Sequence, residues 1–496
     1  MKTLGGLILK NSAANIIRGS ASAVVAIALP HFLTHTLDPD RFAAWALMLQ
    51  IAAYAGYLDF GLQTAIARFV AQSTAVEQWE RREQLIATAF SLLIGAAGVA
   101  AIVIGVVIWK IPVLFHGVPP ALSIELIKAA SIVALASCLQ LPLSTYTAIL
   151  IGLHRNELPA IVIGSTRLIG GLAVILISTH THSLILLGSC IAIANLAGGL
   201  VQLAIVRHIL PDLRITLRKS TSSVAREILH YCFGLTIFSV GMLLVSGLDL
   251  TIVGHFRFED VGFYSVAGML VTFFAGVNGS VMSALITPLA ALHARHDFDS
   301  IRSLVIRVTK LNVFVNCLFV VFAFLIGYPV LKLWVGASYA HRSIHILELL
   351  ALAQAIRLIG GVYSAMLIAT GQQNKGIQNG IAEAISNLIA SLIGAALFGG
   401  IGVAWGTLIG AVVGTGWVLL YTMPSATEIL FTASQFLAQA VYRPFVSTLP
   451  LVILICLPIG SIPLRALSVV VAFIATLALA IKLEVIPNKM GMGTAS

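Results

Sequence analysis

Apolar runs of about 20 residues, separated by short polar segments, follow one another along almost the whole chain. A run of this length spans a bilayer as an α-helix, whereas a transmembrane β-strand gives alternating segments of about ten residues. The pattern predicts an all-α polytopic membrane protein with about fourteen transmembrane helices and no inserted soluble domain. The predicted spans are 9–35, 42–71, 85–108, 122–150, 159–178, 183–207, 232–254, 262–291, 304–327, 343–370, 376–398, 401–421, 444–461 and 465–483.

Two segments in the first half of the chain recur in the second half. LDPDRFAAWALML (37–49) resembles FEDVGFYSVAGML (258–270), and TYTAILIGLHRNE around Tyr146 resembles VYSAMLIATGQQN around Tyr363. An even number of helices in each repeat gives both repeats the same orientation, as in transporters with parallel repeats. We predict an N-terminal six-helix bundle in 1–208, a cytoplasmic linker in 209–231, a C-terminal six-helix bundle in 232–422, and an appended helix pair with a cytoplasmic tail in 423–496.

Composition supports lipid as the solvent of most of the surface. The chain is 59% hydrophobic and 10% charged, whereas soluble domains carry roughly 25% charged residues. The formal net charge of +10 comes from basic residues that fall mostly in every second loop, which is the positive-inside pattern. This distribution places both termini in the cytoplasm and opposes binding to nucleic acid. The first apolar run is too long for a signal peptide, so we expect it to remain as an anchor.

The longest basic loop, the predicted linker, has two open interpretations. Its apolar residues could form one face on the inner leaflet, or the loop could be a solvated basic segment. The residues of that face are Leu213, Leu217, Val224, Ile228 and Tyr231.

Motifs for metal, redox or nucleotide chemistry are lacking in the sequence. The five cysteines lie in apolar stretches with no paired spacing, and the histidine pairs at helical spacing have no neighbouring cysteine or carboxylate cluster. A Walker A sequence and a nucleophile elbow are also lacking. We expect no metal, no cofactor and no enzymatic activity, and we expect that the chain does not hydrolyse ATP itself.

Six charged residues lie inside predicted spans. A charge at the centre of a bilayer helix costs about 2.5–3.5 kcal/mol. A chain that keeps six such charges is expected to enclose a water-filled interior, and the arginines among them indicate an anionic cargo. The residues are Arg18, Arg167, Arg357, Asp59, Asp249 and Glu383.

Several of these charges share a helix face with other polar residues. Asn15 and Arg18 lie on one face of the first span, and Gln354 and Arg357 lie on one face of the tenth. The offset of 217 in the repeat maps Gln140, in the fourth span, onto Arg357. The repeat therefore predicts two corresponding polar stripes, of which one carries a charge.

We predict a cavity lined by three arginines and three amides, with three carboxylates as ion-coupling or charge-balancing groups. Two alternatives stay open: the polar groups could hold helices together, or the arginines could pair with Asp59 or Glu383. The predicted lining residues are Arg18, Arg167, Arg357, Asn15, Gln140 and Gln354. The candidate coupling groups are Asp59, Glu383 and Asp249.

The segment LDLTIVGHFRFEDVGFYSVAGML (248–270) resembles a signature of the polysaccharide and O-antigen flippases, which belong to the multidrug/oligosaccharidyl-lipid/polysaccharide exporter superfamily. YLDFGLQTAIARFVAQ (57–72) resembles the second helix of that family. Many relatives have a basic residue where Leu250 stands. The matching residues of the signature are Asp249, Gly254, Glu259, Asp260, Gly262, Phe263, Tyr264 and Ser265.

The resemblance implies a flippase of the bacterial inner membrane that moves undecaprenyl-diphosphate-linked oligosaccharide to the outer leaflet, for O-antigen, capsule or exopolysaccharide synthesis. Arginine suits a diphosphate, and uncharged amides and hydroxyls suit sugars. Alternating access driven by a proton or sodium gradient is the implied mechanism. Membrane lipid, a polysaccharide polymerase and a chain-length regulator are the expected partners.

Three other functions compete with this one. A lipid II flippase has the same requirement for cationic groups. A drug or metabolite antiporter of the superfamily would need an acidic, aromatic cavity, which the arginines oppose. A lipid-linked glycan polymerase or ligase would need a large basic outer loop, and every predicted outer loop is short.

Overall fold

The structure is a computed structural model that describes residues 24–211, 213, 215–425, 431–457 and 462–486. All regular secondary structure in these ranges is helical. Eleven of the described helical segments are long and apolar enough to cross a membrane, and two further apolar helices, Val24–Thr36 and Leu467–Lys482, are shorter. The prediction of an all-α, multi-pass membrane protein is confirmed, while the count of fourteen spans stays a prediction.

The chain divides into two compact units, Met1–Ser265 and Val266–Ser496. The domain boundaries predicted from the sequence stay predictions. The first unit contains α1 (Val24–Thr36), α2 (Pro39–Tyr57), α3 (Leu62–Ala75), α4 (Trp79–Trp109), α5 (Ile111–Leu114), α6 (Pro120–Gly152), α7 (Glu157–Ser178), α8 (Leu184–Ile209), α9 (Ser222–Met242) and α10 (Asp249–Phe256). Helix α11 (Val261–Ala294) begins in it, and the second unit continues with α12 (Phe298–Val335), α13 (Ala337–Arg357), α14 (Gly361–Ala369), α15 (Ile377–Phe398), α16 (Gly400–Trp417), α17 (Ala433–Phe436), α18 (Arg443–Cys456) and α19 (Ile462–Lys482).

Helix α6 organises the first unit, because it packs against α2, α3, α4 and α8. Small residues bring the backbones close, as is usual between helices in membranes. A Cβ atom on Gly152 of α6 would lie 2.7 Å from the Ala67 carbonyl oxygen of α3. The side chains of Trp45, Met48 and Leu93 are fully buried around this centre.

The predicted linker, which comprises the segment before α9 and the first turns of α9, packs against other helices of the first unit. Val224 and Ile228 are buried in the hydrophobic cluster formed by α3, α4, α6 and α8, and Leu213 and Tyr231 pack against that cluster. Of the five apolar linker residues named above, only Leu217 is exposed. The apolar face of the linker therefore contacts protein, which corrects both interpretations drawn from the sequence.

Ion pairs with α4 fix the same segment from its polar side. Lys219 pairs with Glu83, and Arg81 pairs with Glu227 at 3.0 Å. Exposed pairs of this kind contribute about 0–1 kcal/mol each. Burial of the apolar side chains therefore stabilises the docking, and the charges set its position.

In the second unit, α15 packs closely against a stripe of glycines on α16. Four glycines of α16 recur every fourth residue and allow α15 to approach to backbone contact. The polar stripe of α15, which consists of Glu383, Asn387 and Ser391, lies in this contact, and its side chains are buried. The contacting pairs are Gly394 with Gly402, Ser391 with Gly406, Asn387 with Gly410, and Glu383 with Gly414.

Candidate functional site

Three of the embedded charges that the structure describes lie where a helix is interrupted. Asp59 lies between α2 and α3, Asp249 follows a π-helical turn over Leu243–Gly247, and Arg357 is the last residue of α13. The sequence predicted uninterrupted spans at all three places. Interruptions leave backbone groups without helical partners, so each charge lies beside polar backbone as well as polar side chains.

Arg357 is the centre of the best-defined cluster. Its Nε donates a hydrogen bond to Glu383 Oε1 at 2.5 Å, and its Nη1 donates to Gln354 Oε1 at 3.2 Å. The side chains of Arg357 and Glu383 are 27% and 12% exposed. Arg357 Nη2 is buried and has no hydrogen-bond acceptor among the described residues. Within the described part of the chain, both N–H bonds of Nη2 are therefore uncommitted.

Two neighbouring helices supply donors to the backbone at this break. Asn312 Nδ2 of α12 donates to the Leu358 carbonyl at 2.9 Å, and Thr415 Oγ1 of α16 donates to the Ile356 carbonyl at 3.0 Å. Both side chains are buried. The break is thus held from two sides by hydrogen bonds that the sequence analysis did not predict.

A chain of buried asparagines extends from this point. Asn316 Nδ2 donates to the Asn312 backbone carbonyl at 2.7 Å and lies 3.2 Å from Asn312 Oδ1 and 3.4 Å from Asn278 Oδ1. The sequence analysis missed all three asparagines. Asn312 and Asn316 stand four residues apart in the predicted ninth span, so the spacing that identified the other stripes could have found them.

The side chain of Asp59 forms a hydrogen bond within the turn in which Asp59 lies. Its Oδ1 accepts a hydrogen bond from the Gly61 backbone N–H at 2.8 Å, just before α3 begins. Phe60 and Gly61 have left-handed backbone conformations, with φ values of 54° and 74°. The position of Asp59 is therefore explained by this turn, and its candidate role in ion coupling stays a prediction.

Asp249 is buried at the first position of α10. The Tyr264 hydroxyl donates to Asp249 Oδ2 at 3.0 Å. A carboxylate is favoured at a helix N-terminus by the helix dipole. Two residues further along α10, the hydroxyl of Thr251 forms a hydrogen bond with the hydroxyl of Tyr54. Tyr264 was noted in the sequence as part of a family signature, and the structure shows that it contacts the aspartate of the same signature.

The remaining predicted site residues are less informative. Arg167 is exposed on α7. Gln140 is half-buried on α6, with its Oε1 directed at Gly199 of α8. Asn15 and Arg18 lie outside the described residues. Arg167 and Gln140 belong to the first unit, and the cluster of Arg357, Gln354 and Glu383 belongs to the second, so the common cavity stays a prediction.

Comparison with known proteins agrees with the helical architecture. The fold is similar to that of the lipid II flippase MurJ in an inward closed conformation, with a TM-score of 0.69 and 14% identity; the match covers 95% of this chain and 97% of that one. It is also similar to that of an inward-facing MATE family multidrug resistance transporter of the MOP superfamily, with a TM-score of 0.67 and 15% identity. That match covers 82% of this chain and 97% of that one. The chain is also 23% identical, over 72% of its length and 82% of the relative's length, to a Shigella flexneri protein named as a candidate O-antigen transporter.

These relatives are transporters and flippases, which confirms the expectation that the chain is a membrane transporter and not an enzyme. The resemblance to the polysaccharide and O-antigen flippases is confirmed as well. A family model described as "Polysaccharide biosynthesis protein" matches residues 8–291, more than half of the chain. The chain therefore belongs to the polysaccharide biosynthesis protein family.

Proposed function

We propose that the chain is a flippase that moves undecaprenyl-diphosphate-linked oligosaccharide across the bacterial inner membrane, for the synthesis of O-antigen, capsule or exopolysaccharide. One observation carries the proposal most directly. Arg357 is held at an interrupted helix inside an apolar bundle and paired with Glu383, and its Nη2 has no acceptor in the part of the chain that the structure describes. Membership in the polysaccharide biosynthesis protein family supports the same cargo.

The cargo chemistry fits this arginine. A guanidinium presents a planar set of donors that matches phosphate oxygens, and a diphosphate binds more than one donor at a time. In the absence of cargo, Glu383 neutralises Arg357, so the cluster carries little net charge in an apolar surrounding. An arriving diphosphate competes with Glu383 for the same guanidinium, with Nη2 as the first donor available.

Ion coupling belongs to the same proposal. A proton or sodium gradient supplies the energy, and Glu383, Asp59 and Asp249 are the candidate coupling groups. Asp249 is the most buried of the three and is hydrogen bonded to Tyr264. Intramembrane carboxylates in such settings commonly belong to ion pathways. We also propose that both termini lie in the cytoplasm, and that a polysaccharide polymerase and a chain-length regulator are partners of the chain.

A lipid II flippase is the second candidate. The fold similarity to MurJ favours it, and lipid II carries the same polyprenyl diphosphate. A drug antiporter is less compatible, because a cationic drug would meet Arg357 directly. The two flippase functions differ in the sugar, so the choice between them depends on the glycan that is moved.

Replacement of Arg357 tests the proposed function. We expect Arg357→Ala to abolish transport of a fluorescent polyprenyl-diphosphate-linked saccharide in proteoliposomes, and Arg357→Lys to retain a small fraction, because lysine keeps the charge and loses the fork of donors. Arg342→Ala, an exposed position of the same helix, is the matched control and should transport normally. Wild-type transport by Arg357→Ala would refute the role of Arg357, and absence of transport by the unmodified protein would refute the flippase function.

A further inference from the structure

We infer that Asn312 and Thr415 are positioning residues that make the break between α13 and α14 suitable for an anion, by neutralising the backbone carbonyls beside Arg357. This inference rests on the proposed function, since it concerns how the diphosphate is received at Arg357. Neither residue was a predicted site residue, and neither has an ionisable side chain.

The carbonyl groups at the end of α13 affect the electrostatic potential that an anion would experience there. The C-terminal end of a helix carries partial negative charge, because its last carbonyl groups lack helical partners. Arg357 ends α13, so its backbone lies at the negative end of a helix dipole. Exposed carbonyls at that end would repel the phosphate oxygens that the arginine attracts.

The carbonyls on either side of Arg357 are fully engaged. The Ile356 carbonyl accepts the Ile359 backbone N–H at 3.1 Å and the Thr415 hydroxyl at 3.0 Å. The Leu358 carbonyl accepts the Gly361 backbone N–H at 3.2 Å and the Asn312 amide at 2.9 Å. A carbonyl oxygen has two lone pairs, so each of these oxygens has its full complement of donors.

The orientation of the Asn312 amide is itself determined. Asn316 Nδ2 lies 3.2 Å from Asn312 Oδ1 and donates to the Asn312 backbone carbonyl. The Asn312 oxygen is thereby turned toward Asn316 and its NH₂ group toward Leu358. The side chains of Asn312 and Asn316 are buried, and the hydrogen bond to the Leu358 carbonyl is partly buried.

The arrangement selects an anion over a cation. In several transporters, unwound carbonyls at a broken helix coordinate a cation. Here the Ile356 and Leu358 carbonyls are already occupied, and the side chain between them is the positively charged Arg357. The group left to receive a ligand is Arg357 Nη2, which is a donor. A phosphate oxygen has the complementary chemistry.

The test compares a charged and an uncharged lipid. The full-length protein in detergent is titrated with undecaprenyl diphosphate and with undecaprenol, which has the same tail and no phosphate. We expect Thr415→Val, which removes the hydroxyl and keeps the shape, to weaken undecaprenyl diphosphate binding about five- to tenfold with undecaprenol binding unchanged. Thr415→Ser keeps the hydroxyl and should bind as the unmodified protein does.

Asn312→Leu is the second variant and is expected to show the same selective loss, which keeps the test independent of one substitution. Equal weakening of both lipids in Thr415→Val and Asn312→Leu would show a general structural role and overturn the inference. Unchanged affinity for undecaprenyl diphosphate in both variants would also overturn it. Failure of the unmodified protein to prefer the diphosphate over undecaprenol would instead overturn the proposed function.

Discussion

At the scale of single residues, the turn between α2 and α3 depends on Gly61. Its φ of 74° lies in the left-handed region, which costs a residue with a side chain about 1 kcal/mol or more. A Cβ atom at this position would also lie 2.5 Å from Leu235 Cβ on α9. The glycine therefore allows both the turn that Asp59 caps and the close approach of α9.

We expect Gly61→Ala to destabilise the protein by about 2 kcal/mol or more, because backbone strain and overpacking add at one site. Gly56→Ala, in the last turns of α2, is the matched control, since a Cβ atom there meets nothing within 4 Å. Thermal unfolding in detergent, followed by tryptophan fluorescence, measures the difference. Equal melting temperatures for the two variants would contradict the explanation.

At the scale of secondary-structure elements, the pair α15–α16 decides where Glu383 lies. The helices approach closely along the glycines of α16, and Gly414 leaves the space in which the Glu383 side chain rests. The polar stripe of α15 is for the most part packing surface, since Asn387 and Ser391 are buried against this glycine stripe. Glu383 is the member of the stripe that also reaches Arg357.

We expect Gly406→Ala to separate α15 from α16 and to destabilise the protein by about 1–3 kcal/mol, because its Cβ would lie 2.4 Å from the Ser391 backbone nitrogen. Gly416→Ala, on the same helix with no neighbour within 4 Å of its Cβ, is the control. Thermal unfolding and transport should both fall in the first variant only. A normal melting temperature for Gly406→Ala would rule out close packing at this contact.

Site residues that share a helix face at regular spacing were predicted from the sequence. Site residues whose role depends on the interruption of a helix were not. Gln354 and Arg357 stand three residues apart, and that spacing placed them on one face. The roles of Asn312 and Thr415 exist only because α13 ends at Arg357, and the predicted span 343–370 was continuous. The sequence around the break is apolar, so the hydropathy of this region does not mark the end of α13.

At the scale of the whole molecule, the sequence predicted the class of fold, because lipid permits few solutions for the backbone. The docking of the linker was not predicted. Its apolar residues follow a helical spacing that would suit a membrane surface equally well. The choice between lipid and protein depends on α3 and α4, which are distant in the chain.

We expect the docked linker to resist proteolysis, and its two ion pairs to contribute to that resistance. Lys219→Glu places two carboxylates together at Glu83 and should increase the rate of cleavage between α8 and α9 severalfold. The double reversal Glu83→Lys with Lys219→Glu restores opposite charges and should restore protection. Equal cleavage rates in all three proteins would show that apolar burial alone holds the segment.

The close contact between α15 and α16 has a consequence for biosynthesis of the protein. If α15 entered the bilayer alone, Glu383 would face lipid at a cost of about 2.5–3.5 kcal/mol. Only Gly399 separates the two helices, and α16 follows at once with the glycines that cover Glu383, Asn387 and Ser391. We expect α15 and α16 of the nascent chain to insert together as a hairpin. Helix α15 would remain at the insertion machinery until α16 has left the ribosome. Chains truncated before Gly400 should therefore leave α15 incompletely inserted, as glycosylation-site mapping of nascent chains would reveal.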